Sequence, residues 1–172
     1  MTINPLIKIL TADDAPTYRK LRLQALKNTP MAFMSTLEVE QKKPLSSFIY
    51  EISVSIRPPL WGYYGIFSNQ ELIGFCQISK SFAAKQAHIA YLYNLYINPD
   101  YRGNGLAKKL LTEMLKKIKS QHIERVFITY LARNRCVRGF YDHFGFKQCG
   151  IKPKAIKEGD EYDDVVEMVL EL

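Results

Sequence analysis

The amino-acid sequence predicts a single α/β domain, and three observations carry the prediction. Strand-like and helix-like segments alternate along the chain, a glycine turn joins a strand to an amphipathic helix, and 47% hydrophobic content over 172 residues suffices for one substantial core. The inferred order is one strand, two helices, three strands, helix, strand, helix and two strands. No repeat or low-complexity segment interrupts it, so residues 1–172 are read as one domain.

Each element follows from a local pattern. Residues 7–10 read as the first strand, and Thr11 or Asp13 is placed to cap a helix carrying Tyr18, Leu21, Leu23 and Leu26 toward Lys27. Residues 28–43 are polar and broken. A second helix is expected over residues 45–56, stopped by Pro58 and Pro59. Residues 61–67, a Ser68-Asn69-Gln70 turn and residues 72–79 read as a hairpin. Residues 88–97, HIAYLYNLYI, are rich in aromatic and β-branched side chains and read as a buried strand ended by Asn98 and Pro99. Beyond the glycine turn, Leu106, Leu110, Leu111, Met114, Leu115 and Ile118 recur at helical spacing. A strand over residues 124–132 and a helix opened by Asn134 follow. Residues 147–157 and 162–172 close the chain as strands, with Val166, Met168, Leu170 and Leu172 alternating against outward Glu167 and Glu171.

The turn itself, INPDYRGNGLA at residues 97–107, has the context of an anion cradle. A helix N-terminus leaves its first N–H groups without intrahelical partners and carries partial positive charge, so a phosphate can accept several hydrogen bonds there. Gly103 and Gly105 let the main chain take positive φ and approach a diphosphate closely, Arg102 supplies charge and donors, and Ala107 keeps the first turn slim. Two familiar phosphate loops fail by spelling. No Gly-Lys-Ser/Thr ending is present, and the third glycine of a dinucleotide fingerprint is replaced by Lys108.

The pattern Q/R-x-x-G-x-G/A, written here as Arg102, Gly105 and Ala107, resembles the acetyl-CoA loop of the GNAT superfamily of N-acetyltransferases. Further along, NRCVRGFYDHFGF at residues 134–146 resembles that superfamily's second element, with Asn134, Tyr141, Gly145 and Phe146 in matching places. The resemblance implies an α/β sandwich: a mixed, mostly antiparallel sheet of about six to seven strands flanked by about four helices, with a splayed central strand pair that admits the pantetheine arm. It also implies acetyl-CoA as co-substrate, bound by Leu95, Tyr96, Ile97, Arg102, Gly103, Asn104, Gly105, Leu106, Ala107, Asn134 and Tyr141. Asn134 would bond the arm or cap the helix.

The implied chemistry is direct acetyl transfer to a primary amine, of a small molecule, a polyamine, or a peptide or protein. An ammonium with a pKa of about 10 must lose a proton before it attacks the thioester. The tetrahedral oxyanion needs a backbone N–H, which the strand around Leu95 to Ile97 can supply, and the departing thiolate needs a proton. Tyr141 is the expected general acid, by resemblance. The base is unassigned, because YLYNLYI carries no carboxylate where some family members have a Glu. Tyr93 is a weak candidate through a water relay, beside Glu38, Glu40, His88 and His143. Phe33, Met34 and Trp61 are candidates for an apolar acceptor wall, and Asp160, Glu161, Asp163 and Asp164 form an acidic cluster able to attract a basic acceptor or to be a solvated loop. A non-catalytic acyl-CoA-binding regulatory module is the alternative.

Other partners are not indicated. The net charge of +7 and pI near 9.2 invite a nucleic-acid reading, but Lys116, Lys117 and Lys119 lie on the polar side of an amphipathic helix and no nucleic-acid module is recognisable. Cys76, Cys136 and Cys149 form no CxxC pair, so reduced thiols in core or semi-buried places are expected, without zinc or any other metal. No charged segment leads into an apolar h-region and no long apolar run is present, so the expectation is a cytoplasmic protein without membrane partners. The resemblance also allows a homodimer.

Overall fold

The computed structural model describes residues 5–57 and 61–172, so the expected helix stop at Pro58 and Pro59 lies outside the described residues. In chain order the elements are β1 (Leu6–Ile9), α1 (Ala15–Asn28), α2 (Leu37–Lys42), α3 (Leu45–Ser55), β2 (Gly62–Ser68) and β3 (Glu71–Lys80). They continue with β4 (Ile89–Ile97), α4 (Leu106–Lys119), β5 (Arg125–Leu131), α5 (Arg135–His143), β6 (Lys147–Glu158) and β7 (Glu161–Glu171). The expected order holds, with one addition: α2 occupies the stretch read as broken. Thr36 caps it by accepting from the Val39 N–H at 3.3 Å, and one and a half turns are too short to show a helical period.

The strands form one seven-stranded sheet in the order β1-β2-β3-β4-β5-β7-β6, antiparallel except between β4 and β5. Alternate residues of the strands face two separate apolar layers. Tyr63, Phe75 and Tyr96 pack with α1 and α3, around Tyr18, Phe48 and Ile52. Tyr64, Cys76 and Leu92 pack with α4 and α5, around Leu110, Met114 and Tyr141. Trp61 belongs to this second layer, so it does not join Phe33 and Met34 in an acceptor wall.

Two irregularities shape the middle of the sheet. β4 and β5 pair only over Ile89, Ala90 and Tyr91 against Arg125, Val126 and Phe127, and beyond these residues the strands have no mutual register. In β4 the register against β3 also slips, and Asn94 takes a φ of 56°. A one-residue bulge switches the side-chain parity. Ala90 and Leu92 face α4 before it, and Leu95 and Ile97 face α4 after it.

Gly74 sits where β3 meets this bulge. A Cβ there would lie 2.6 Å from the Tyr96 carbonyl oxygen and 2.6 Å from Ile97 Cδ1. Because one neighbour is backbone, Gly74→Ala is expected to destabilise the fold by about 2 kcal/mol, seen as a lower urea midpoint with an unchanged slope.

Candidate active site

The loop between β4 and α4 holds a cradle. Gly103 and Gly105 have φ of 81° and 70°, and a Cβ on either would meet nothing within 4 Å. Gly105 is the N-cap of α4 and offers no side-chain cap, and the first helical bond runs from Lys109 N–H to Gly105 O at 2.9 Å. The N–H groups from Gly103 to Lys108 donate to no backbone carbonyl among the described residues. Gly103, Gly105, Leu106, Ala107 and Lys108 border a cavity of about 290 Å³ lined also by Ile97, Arg102 and Phe140. Consecutive free donors at a helix N-terminus have the geometry to receive an oxyanion, the role expected of this loop from its spelling.

Side chains of the loop brace it. The Arg102 Nε donates to the Ile97 carbonyl at 2.9 Å, its Nη2 donates to Thr29 Oγ1 at 3.3 Å, and the guanidinium lies over the Tyr96 ring. Asn104 Nδ2 donates to the carbonyls of Tyr101 and Arg102, so Asn104 can serve a ligand through its backbone. Leu106 packs into the core and Ala107 borders the cavity. The Tyr96 side chain points to the α1 layer, against Phe33 and Phe75, and so does not line the cradle.

Tyr141 lies on α5 with 7% of its surface exposed, edge-on to Phe140 and Phe146. Burial, with a smaller contribution from Cys76, pushes its phenol well above the ordinary value, so the hydroxyl stays protonated. It makes no hydrogen bond among the described residues. Asn134 stands at the N-cap of α5, but its side chain does not cap the helix; Nδ2 donates to the Met31 carbonyl at 3.3 Å and ties residues 30–36 to α5.

On the α1 side of the sheet a second cavity, of about 410 Å³, opens beside the gap between β4 and β5. Its floor is a polar row: Tyr63 pairs with Gln77 across β2 and β3, and Gln77 pairs with Tyr93 across β3 and β4. Phe33, Met34 and Ser35 cover it, and Thr129, Tyr130 and Leu131 stand on the β5 side. Glu51 of α3 also lines it and accepts a 2.5 Å hydrogen bond from the Tyr63 hydroxyl. The sequence reading missed Glu51, Tyr63, Gln77 and Thr129. The signal for three of them was the strand period, which places one residue from each adjacent strand on a common face.

The proposed bases fare differently. Burial and the neighbouring Tyr91, opposed by a Ser79 hydrogen bond, leave the Tyr93 phenol above its ordinary value, which keeps it protonated and so unsuited to act as the base. Glu38 is exposed and paired with Lys42. His88 sits at the paired end of β4, where its carbonyl accepts from Glu124 and Arg125, and His143 is exposed beside Phe144.

Glu40 is buried between Arg22 at 3.6 Å and Lys43 at 3.3 Å. Burial alone would raise its carboxyl; the Ser35 hydrogen bond and the charges of Arg22 and Lys43 outweigh it and hold the carboxyl below the usual range. A depressed pKa contributes stability above the unfolded value of about 4.3 that is lost as pH falls through the folded value. Glu40→Gln is therefore expected to cost about 1–3 kcal/mol at pH 7, with the difference from wild type narrowing toward pH 3 in urea titrations.

The acidic run near the C-terminus is spent internally. Arg133 contacts Asp163 at 2.8 Å, Glu158 at 3.8 Å and Glu161 at 4.0 Å, while Asp164 accepts from the Lys154 N–H at 2.7 Å. Asp163 and Asp164 are thus committed to holding the β6-β7 hairpin and the segment after β5, and neither is free to attract an acceptor. Cys76 is buried, whereas Cys136 and Cys149 are exposed; all three are free thiols. Among the described residues no group of three or more metal-ligating side chains gathers, and no helix is long and apolar enough to cross a membrane.

A mixed sheet with a bulged, splayed central strand, a glycine turn at one end of the gap and a buried tyrosine on the following helix defines the α/β sandwich that the sequence led us to expect. The chain matches the acetyltransferase (GNAT) family over residues 23–146 and belongs to it. It is 32% identical over 63 residues to a ribosomal protein bS18-alanine N-acetyltransferase of Haemophilus ducreyi, covering 37% of this chain and 43% of that protein. The corresponding Escherichia coli K12 protein is 25% identical over 81 residues, covering 47% and 55%. The chain thus spans about half the length of the curated relatives it matches.

Solved structures agree on the fold across the chain. A ribosomal-protein-alanine N-acetyltransferase from Brucella melitensis superposes with a TM-score of 0.82 at 19% identity, covering 97% of this chain and 99% of that one. A phosphinothricin acetyltransferase from Sinorhizobium meliloti in complex with AcCoA gives 0.82 at 16% identity, covering 100% and 89%.

Proposed function

We propose that this protein moves the acetyl group of acetyl-CoA to a primary amine by direct transfer. The observation that carries the reading is the placement of the β4-β5 gap, with the free N–H groups of residues 103–108 at its mouth and a polar cavity on the α1 side. The diphosphate of the coenzyme occupies the cradle and its thioester enters the gap.

The transfer then follows from charge. The acceptor ammonium gives up a proton to water held on the polar floor, and its nitrogen lone pair forms the C–N bond at the thioester carbonyl. Beyond Tyr91 the edge of β4 that faces β5 has no ladder partner, so its backbone N–H groups near Leu95 and Ile97 are available to the oxyanion. The C–S bond breaks as the Tyr141 hydroxyl protonates the sulfur, and the second amine proton restores the phenol. The balance is one ammonium and one acetyl-CoA giving one amide, one CoA thiol and one proton. Tyr93 is a donor in the water relay, consistent with its raised pKa.

Titration calorimetry with acetyl-CoA, followed by mass detection of N-acetylated products over a panel of primary amines, tests this reading. Binding with amine acetylation supports it. Binding without acetylation of any amine defeats it in favour of a non-catalytic acyl-CoA-binding module.

A further inference from the structure

The cavity on the α1 side runs across three strands, and its two ends differ chemically. At one end the β4 bulge and Thr129 border the gap; at the other, Glu51 closes over Tyr63. Arg22, the cation lining the cavity, already faces Glu40 at 3.6 Å and stacks over Phe33. Glu51 has no cationic partner within ion-pair distance among the described residues, and its hydrogen bond comes from the neutral phenol of Tyr63, which burial and the neighbouring Tyr18 and Glu51 push up in pKa. The cavity therefore ends in a carboxylate without an ion-pair contact, while Arg22, whose buried Nη1 has no hydrogen-bond partner among the described residues, lines the cavity beside Phe33.

The distance rules out one role and suggests another. Tyr63, Gln77 and Tyr93 stand in register on three adjacent strands, so Tyr63 and Tyr93 are two strand spacings apart, about 10 Å. A general base must reach the reacting nitrogen directly or through one water, and 10 Å exceeds both. A separation of that order suits a linear acceptor with a few carbons between two amines, such as a four- or five-carbon diamine.

We propose that the acceptor is a linear diamine or its close relative, with one amine at the β4-β5 gap and its second, ammonium end bound by Glu51. This assignment rests on the N-acetyltransferase reading above and names the substrate class of that same site. Tyr63 is a positioning residue that fixes the carboxylate, and Gln77 and Tyr93 offer polar contacts along the chain between the two nitrogens.

The test compares 1,4-diaminobutane and 1,5-diaminopentane with butylamine and pentylamine, in the wild-type protein and in Glu51→Gln. Wild-type kcat/KM is expected to favour the diamines over the monoamines by about tenfold to a hundredfold. Glu51→Gln should remove that preference by lowering the diamine values alone, while monoamine turnover and the calorimetric affinity for acetyl-CoA stay unchanged. Equal wild-type use of monoamines and diamines overturns the inference, as does a Glu51→Gln protein that loses both equally. Failure of these four amines while another amine of the wider panel is acetylated overturns this inference alone, and failure of the whole panel with acetyl-CoA still bound defeats the transferase reading with it.

Discussion

Gly105→Val should bind acetyl-CoA about a hundredfold more weakly than the wild-type protein, the largest loss of affinity expected from any single loop substitution. Two causes act together. At a φ of 70° a β-branched side chain is strained, which shifts the backbone that aligns the N–H groups of residues 103–108. The new side chain also projects into the open space of the cradle, where a Cβ alone meets nothing within 4 Å. Charge-assisted hydrogen bonds to an anion contribute about 1.5–3 kcal/mol each, so misplacing one or two of them accounts for the loss. Calorimetry measures it directly. Gly139→Ala supplies the control of opposite sign: this exposed glycine lies inside α5 without positive φ and with no neighbour near its Cβ, so alanine should stabilise the protein by about 1 kcal/mol and leave binding intact.

Tyr141→Phe should lower kcat by about a hundredfold to a thousandfold while acetyl-CoA affinity stays within about twofold. The side chain is buried and its ring contacts survive the substitution, so the fold keeps its packing and loses a hydroxyl that bonds no described residue. The pH dependence gives a second readout. Burial and Cys76 raise this phenol, and a raised acid remains protonated at higher pH, so Tyr141 should impose no basic limb on kcat below about pH 10. An unchanged kcat in Tyr141→Phe would remove Tyr141 from the role of general acid.

Much of this architecture was legible in the sequence because its signals are local. The glycine turn sits between a strand and a helix with the spelling Arg102, Gly105, Ala107, and the β2-β3 hairpin announces itself through Ser68-Asn69-Gln70, where Asn69 and Gln70 both take positive φ. The bulge in β4 also left a mark. Leu92 and Leu95, like Tyr93 and Tyr96, are three residues apart in a strand whose period should be two.

The rest was hidden for physical reasons. Glu51 is one polar residue on a helix whose Phe48 and Ile52 face the core, and only the tertiary approach of Tyr63 distinguishes it from a solvated glutamate. The acidic run over residues 160–164 read as unspent charge because its partner Arg133 is about thirty residues away in sequence. Trp61 falls on the α4 side although strict alternation would place it with Tyr63, because it precedes β2 and Gly62, at a φ of 150°, breaks the extended alternation between them. Asn134 reaches back across 103 residues to the Met31 carbonyl, a contact no local motif encodes.

The central claim is that the cradle and the gap act as one site that carries acetyl from the coenzyme to an amine. Incubating the protein with acetyl-CoA and a primary-amine panel, and reading both products by mass, tests it most directly. Mass is the right readout because the exposed thiols of Cys136 and Cys149 would themselves consume a thiol reagent. The account predicts N-acetylated amine and free CoA in equal amounts, both lost in Gly105→Val at low acetyl-CoA and both slowed in Tyr141→Phe. Intact acetyl-CoA with every amine, or CoA released without an acetylated amine, would contradict it.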